Sequence, residues 1–325
     1  MADTDIDTET GASAGASRRL IQSAAAANDG AFTPGDWTLF LAVAAIWGSS
    51  FLLIDIGLDA LPPGLITLIR VASGAVALAL LPKPDVRIDD DDRPRLVVLS
   101  VIWVALPFTL FPIAEQWINS AVTGLLNGAT PIFVALVATA FLGQPPRGPL
   151  LVGIAVGFVG IVCISLPSVG DGASQARGVV LVVAATVCYG FAINLAAPLQ
   201  ARHDSLPLMS RMLALATVWT APYGFWDLGD AEWEVGPTVA VLVLGVVGTG
   251  IAFAVMGTLV GRVGSQRASF ITYLIPVVSL ALGVAFRDDD VAPLAILGIA
   301  MVITGALLAA RARRPAVTAG VRPRT

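Results

Sequence analysis

NGATPIFVALVATAFLG (residues 127–143) and TYLIPVVSLALGVAFRD (residues 272–288) are two apolar stretches with the same punctuation. Pro131 and Pro276 stand 145 positions apart, and so do Phe141 and Phe286. The next stretch keeps that offset, with Gly153 answering Gly298 and Gly160 answering Gly305. Upstream, Leu61-Pro62 answers Leu206-Pro207, whereas Trp47-Gly48 meets Tyr189-Gly190 only after a three-residue slip. A fixed offset over several landmarks is hard to obtain by chance, even in apolar sequence. The chain is therefore expected to be an internal duplication.

What is duplicated follows from composition. The 325 residues are 56% hydrophobic and only 13% charged, about half the charged share of a soluble domain. Apolar runs of about 20 residues recur, each bounded by Pro, Gly or charge, and that length crosses roughly 30 Å of hydrocarbon as helix. The expected spans are 37–57, 63–82, 96–116, 120–142, 148–167, 178–198, 207–226, 237–258, 266–286 and 292–310. Barrel-type alternation is absent, so the fold class is an all-α membrane protein of ten transmembrane helices. The first 36 residues are small, acidic and polar, without the layout of a signal peptide, and read as a disordered cytoplasmic tail. Residues 312–325 read as a basic cytoplasmic tail.

Charge sets the orientation. With the N-terminus inside, all 19 Lys and Arg except Arg70, Arg177 and Arg287 fall in inner loops or tails. Both termini are thus expected in the cytoplasm, with the chain multi-pass in the cytoplasmic (inner) membrane. Each repeat, 37–167 and 178–311, holds five spans, an odd number, so the second must enter from the opposite side. A 5+5 inverted repeat with a central cavity near the midplane is the architecture of many secondary transporters.

Several stretches also carry a family resemblance: WGSSF in the first span, LIRVASG in the second, TPIFVALVATAFLG in the fourth and SQRASFITYLIPVVSLALGV in the ninth. Together they resemble the EamA-type branch of the drug/metabolite transporter superfamily, over roughly residues 37 to 311. ALPFTLFPIAEQWINSAVTGLLNGATPIF resembles a particular subset of that branch. The resemblance implies a ten-helix bundle around a central cavity that moves small organic solutes, often outward. The endings LGQPP and FRDDD depart from the LGE-like ending common in the family, which bears on the helix ends more than on transport.

Polar side chains inside spans cost free energy unless partnered, so each demands a reason. Thr123, Asn127, Thr130 and Pro131 follow helical spacing on one face, as do Ser269, Thr272, Tyr273 and Pro276. Each proline frees the carbonyl four residues earlier, on Asn127 and on Thr272. Trp47 and Ser50 lie one turn apart in the first span, and Tyr189 and Asn194 occupy the sixth. Trp47, Ser50, Asn127, Tyr189, Asn194, Thr272 and Tyr273 are the candidate substrate-binding residues. Helix packing is the competing explanation for each of them. Gly48 and Gly190 would admit a neighbouring helix or a ligand, and Ser49 would bond back to its own helix. Pro107, Pro131 and Pro276, with the glycines of GVVGTGIAF, are candidate hinges.

The ionisable residues are sharper. Arg70 lies about seven residues into its span, roughly 10 Å deep, and is expected to pair with Asp55 or Glu115. Glu115 is a candidate for proton coupling or for recognising a cationic amine, against the plainer role of interface anchor. His203 reads as a solvated loop residue, and Cys163 and Cys188 as packing residues rather than a disulfide or metal pair. The G-x-G of GVVGTGIAF sits within a span, not between a strand and a helix, so it is no dinucleotide fingerprint. Gly153 and Gly157 form a packing seam. No cofactor, metal or nucleic-acid partner is expected. The expected partners are a small-molecule substrate and the lipid bilayer, and a homodimer is compatible with the sequence. A membrane-embedded enzyme would need a convergent catalytic set, and only scattered carboxylates are present. A scaffold would need a large soluble segment, and the loops are short.

Overall fold

The structure is a computed structural model that describes residues 32–82, 88–141, 148–170, 173–200 and 202–312. These residues form helices α1 Pro34–Leu58, α2 Pro63–Leu80, α3 Asp90–Glu115, α4 Ser120–Phe141 and α5 Pro149–Gly170. The second half gives α6 Ala173–Gln200, α7 Ser205–Trp226, α8 Val235–Val263, α9 Ser269–Arg287 and α10 Pro293–Ala312. Among the described residues, eight helices (α1–α6, α8 and α9) are long and apolar enough to cross a membrane. α7 and α10 fill the remaining expected places as helices, α7 being the less apolar because it carries Arg211, Thr220 and Pro222.

Local chemistry explains where the helices start. Thr33 and Asp36 form a capping box, in which the Thr33 side chain accepts from the Asp36 amide (3.2 Å) and Asp36 accepts from the Thr33 amide (3.0 Å). α1 therefore begins at Pro34, inside the stretch expected to be tail. Residues 1–31 and 313–325, the bulk of both expected tails, lie outside the described residues, as does the LGQPP ending. Asn119 caps α4 by accepting from the Val122 amide at 2.9 Å.

Helix partners follow the duplication. α2 packs on α7, α4 on α9 and α5 on α10, while α1 packs on α8 and α3 on α6. Exchanging the two halves leaves this set of neighbours unchanged. The glycines carry the same symmetry. A Cβ on Gly160 would lie 2.6 Å from the Gly298 carbonyl oxygen, and a Cβ on Gly298 would lie 2.7 Å from the Gly160 carbonyl oxygen. Gly305 meets the Gly153 carbonyl in the same way. α5 and α10 thus touch backbone to backbone, at the glycines that answered one another in sequence. Gly48 abuts Val278 of α9 and Gly190 abuts Phe133 of α4, and the two contacted residues again stand 145 positions apart. Both glycines therefore admit a helix rather than a ligand.

Irregularities recur in pairs too. α3 contains a π-helical segment at Ser100–Ala105 and α8 one at Val246–Ile251. α4 is interrupted at Gly128–Ala129, between Ser120–Asn127 and Thr130–Phe141. α9 opens with a 3-10 stretch, Ser269–Tyr273, before its regular part from Ile275. Such interruptions concentrate at functional sites because they leave backbone groups unladdered. The outer surface is apolar, with Phe158, Val180, Trp219, Phe225 and Val239 all exposed, as lipid contact requires.

Candidate functional site

Arg70 of α2 is a buried charge, only 5% exposed. Its Nε donates to Thr249 Oγ1 at 3.2 Å, inside the π segment of α8. Its guanidinium lies 3.8 Å above the Phe108 ring, just past the π segment of α3. One side chain of α2 therefore touches the π segment of α8 and the turn that follows the π segment of α3. A desolvated guanidinium over an aromatic face gains about 2 kcal/mol, which offsets part of its burial. The expected pairing of Arg70 with Asp55 or Glu115 is corrected. Asp55 is taken by Arg287 of α9, which donates to it through Nε, while its two terminal nitrogens donate to Asp59 at 2.9 and 2.8 Å. This fork ties the end of α1 to the end of α9 on one face of the bundle, here termed the distal face.

On the opposite, terminal face Asp92 plays the reciprocal part. Arg202 Nη2 donates to Asp92 Oδ1 at 2.7 Å, and His203 Nε2 lies 2.9 Å from Asp92 Oδ2. His203 is buried rather than solvated, because the α6–α7 turn folds it onto the start of α3. Asp89, Asp92 and His203 bring one ligand atom each within 4.8 Å of one another. Both Asp92 oxygens are already occupied, so the group reads as a latch between the halves rather than a metal centre. Thr249, Phe108, Arg287, Asp59 and Asp92 were not singled out from sequence. Arg287 alone left a signal, as one of two basic residues on the outer side of the charge count.

Of the substrate-binding candidates, Trp47, Tyr189 and Tyr273 pack against one core cluster. Asn127, at the α4 interruption, is buried and its Oδ1 has no hydrogen-bond partner. The carbonyl freed by Pro131 is not open, since Thr130 Oγ1 donates to the Asn127 oxygen at 2.8 Å. In α9 Thr272 Oγ1 donates to the Ser269 carbonyl at 2.5 Å, and Tyr273 stacks near Phe270. Trp47 meets Phe253 edge-on at 5.9 Å, and Tyr189 lies 6.1 Å from Phe111. Ser49 and Ser50 both donate to the Ile46 carbonyl of their own helix, at 2.9 and 3.3 Å. Asn194 is pinned by two bonds, to Val134 of α4 at 3.0 Å and to Gly190 at 2.8 Å, so it fastens α6 to α4. Pro107 follows directly on the α3 π segment, and Pro276 packs against Gly128 at the α4 interruption. Cys163 and Cys188 are free thiols.

Two cavities open on the distal face, of about 390 and 280 Å³. Of the residues expected to bind, couple or hinge, only Glu115 lines either of them. Glu115 is 7% exposed, and neither carboxylate oxygen has a hydrogen-bond partner.

A two-halved helical bundle, apolar outside and interrupted inside, with charged latches at both ends, defines a multi-pass membrane transporter. The EamA-like transporter family model matches twice, over residues 35–166 and 176–311, and the chain belongs to that family. A probable terminal-alkyne amino-acid exporter of Streptantibioticus cattleyicolor is 29% identical over 303 residues, covering 88% of this chain and 98% of that protein. A probable amino-acid metabolite efflux pump of Escherichia coli is 24% identical over 83% of this chain and 93% of its own length. An uncharacterized transporter of Archaeoglobus fulgidus is 24% identical over 85% and 99%. A solved crystal structure shares the fold, with a TM-score of 0.56 at 16% identity over 86% of this chain and 99% of the other.

Proposed function

We propose that this protein is a secondary transporter that exports a small organic solute across the cytoplasmic membrane by alternating access. Its architecture in this reading is a 5+5 inverted repeat, with halves 37–167 and 178–311 and both termini cytoplasmic. The observation that carries the reading is the pairing of latches: Arg287 with Asp55 and Asp59 on the distal face, Asp92 with Arg202 and His203 on the terminal face. Each latch joins one half to the other, as gates opened in alternation must. The paired interruptions of α4 and α9 and the paired π segments of α3 and α8 support bending at equivalent places. The double family match supports the duplication, and the names of the relatives support outward movement of an amino-acid-like solute. Trp47, Tyr189, Asn127, Thr272 and Tyr273 are the residues assigned to the solute path, and Glu115 is the group assigned to proton coupling.

The test is efflux from proteoliposomes containing only this protein, loaded with a panel of amino acids, amines, sugars and nucleobases, with and without a pH gradient. Solute movement that saturates and is slowed by locking either latch with a disulfide supports the proposal. Failure to move any solute, or chemical change of a solute, contradicts it.

A further inference from the structure

Each π segment is fastened by a side-chain N–H from the other half of the bundle. In α3, Ser100 opens the segment and is fully buried. Its Oγ donates to the Val97 carbonyl at 2.6 Å and accepts the indole N–H of Trp219, on α7, at 3.1 Å. In α8, Thr249 lies within the segment and is also fully buried. Its Oγ1 donates to the Leu244 carbonyl at 3.2 Å and accepts Arg70 Nε, on α2, at 3.2 Å. The backbones agree with the side chains, since the α3 segment packs on α7 and the α8 segment on α2. Exchanging the halves carries one packing into the other. The segments begin at Ser100 and Val246, one position off the 145-residue offset of the glycines.

A π turn that reverts to α expels one residue. The helix beyond it then shifts by about 1.5 Å and turns by about 100°. Neither cross-half bond survives such a displacement. Each segment also leads to a contact between the halves. The start of α3 carries Asp92, which holds Arg202 and His203 on the terminal face. α8 leads back to Glu232, whose amide donates to the Ala60 carbonyl at 2.8 Å and keeps the α7–α8 connection on the α1–α2 turn. The other part of each helix is seated independently. Past the α3 segment, Pro112 offers no N–H to the Phe108 carbonyl, and Thr67 Oγ1 of α2 donates to it at 3.1 Å. Past the α8 segment, Ala252–Val263 packs on α1.

We propose that Trp219 and Arg70 are positioning residues of the transport cycle, each holding a π segment of the opposite half in the register that keeps one face closed. Trp219 acts through Ser100 on the terminal face, and Arg70 acts through Thr249 on the distal face. A face opens when its segment reverts to α-helix, its own pin released and the other kept. The place in a cycle rests on the transport reading, whereas the link from pin to register to face does not.

The test uses the full chain in nanodiscs, in a background lacking Cys163 and Cys188. Hydrogen exchange with mass spectrometry reads the amides of Ser100–Ala105 and Val246–Ile251. Maleimide labelling reads the faces through a cysteine at Leu199, whose carbonyl accepts the His203 amide, or at Leu61 in the α1–α2 turn. Both positions are buried in the closed form. Trp219→Phe keeps the ring and removes the N–H. It is expected to raise exchange in the α3 segment and labelling at 199 by about fivefold, with the α8 segment and position 61 unchanged. Arg70→Met is expected to do the converse, by at least about tenfold. Thr249→Val, which keeps the charge, should repeat the distal result. Ser100→Ala should match Trp219→Phe and add nothing to it in the double variant. Equal effects at both faces, effects at neither, or additive effects of Ser100→Ala and Trp219→Phe would each overturn the proposal. Face-selective opening without efflux of any solute would leave the pins standing and remove the transport reading. Efflux by a protein whose variants open both faces equally would do the reverse.

Discussion

Replacing Gly298 by alanine tests the seam on which the two halves meet. The new Cβ would lie 2.7 Å from the Gly160 carbonyl oxygen and 2.8 Å from an Ile164 side-chain carbon. Carbon contacts are comfortable from about 3.5 Å, so α5 and α10 must part by roughly 0.7 Å or twist. Overpacking of this kind costs about 1 to 3 kcal/mol, against which alanine's better helix propensity returns about 1 kcal/mol. The net expected loss is up to about 2 kcal/mol. Gly261 supplies the internal control, because a Cβ there meets nothing within 4 Å. Gly261→Ala should leave stability unchanged or raise it by up to about 1 kcal/mol. Equilibrium unfolding in mixed micelles, followed by tryptophan fluorescence, reads both. If Gly298→Ala is as stable as Gly261→Ala, the helices do not meet backbone to backbone and the symmetric seam is refuted.

Arg287→Ala removes a partly exposed fork worth about 1 kcal/mol, so distal opening should become roughly fivefold more populated, read as faster maleimide labelling of a cysteine at Gln116. Unchanged labelling would show that the fork is no gate. Asp92→Asn strips the partner from Arg202 and His203, and should lower stability by about 1 to 3 kcal/mol while raising labelling on the terminal face only. Thr249→Val leaves the buried Arg70 Nε without its acceptor, with an expected stability loss of about 1 to 3 kcal/mol and slower efflux. Thr249→Ser should restore both.

Much of the architecture was legible because glycine and proline mark places where only small or N–H-free residues fit. The four glycines that the offset aligned, Gly153 with Gly298 and Gly160 with Gly305, meet crosswise between α5 and α10, Gly160 on Gly298 and Gly305 on Gly153. Helix places followed from apolar length, whereas boundaries depended on caps: the Thr33–Asp36 box pulled α1 to Pro34. The partners of charged residues were not legible. Helical spacing says which residues share a face, but not which helix that face meets. Arg70 therefore found Thr249, 179 residues away, instead of the nearer carboxylates. His203 was misplaced for the same reason, since a loop residue in sequence became a buried partner once the α6–α7 turn met Asp92. Asn194 and Ser50 carried polar atoms, but spacing could not distinguish helix fastening from a solute path.

Opposite insertion of two like halves underlies every functional claim above. Asp59 and Asp204 occupy equivalent turns, α1–α2 and α6–α7, and both are exposed. In a background lacking Cys163 and Cys188, a single cysteine at each position would be challenged in intact cells with a membrane-impermeant maleimide. Labelling at position 59 and protection at position 204 until the cells are opened is the expected result. Labelling of both from the same side would contradict the inverted arrangement.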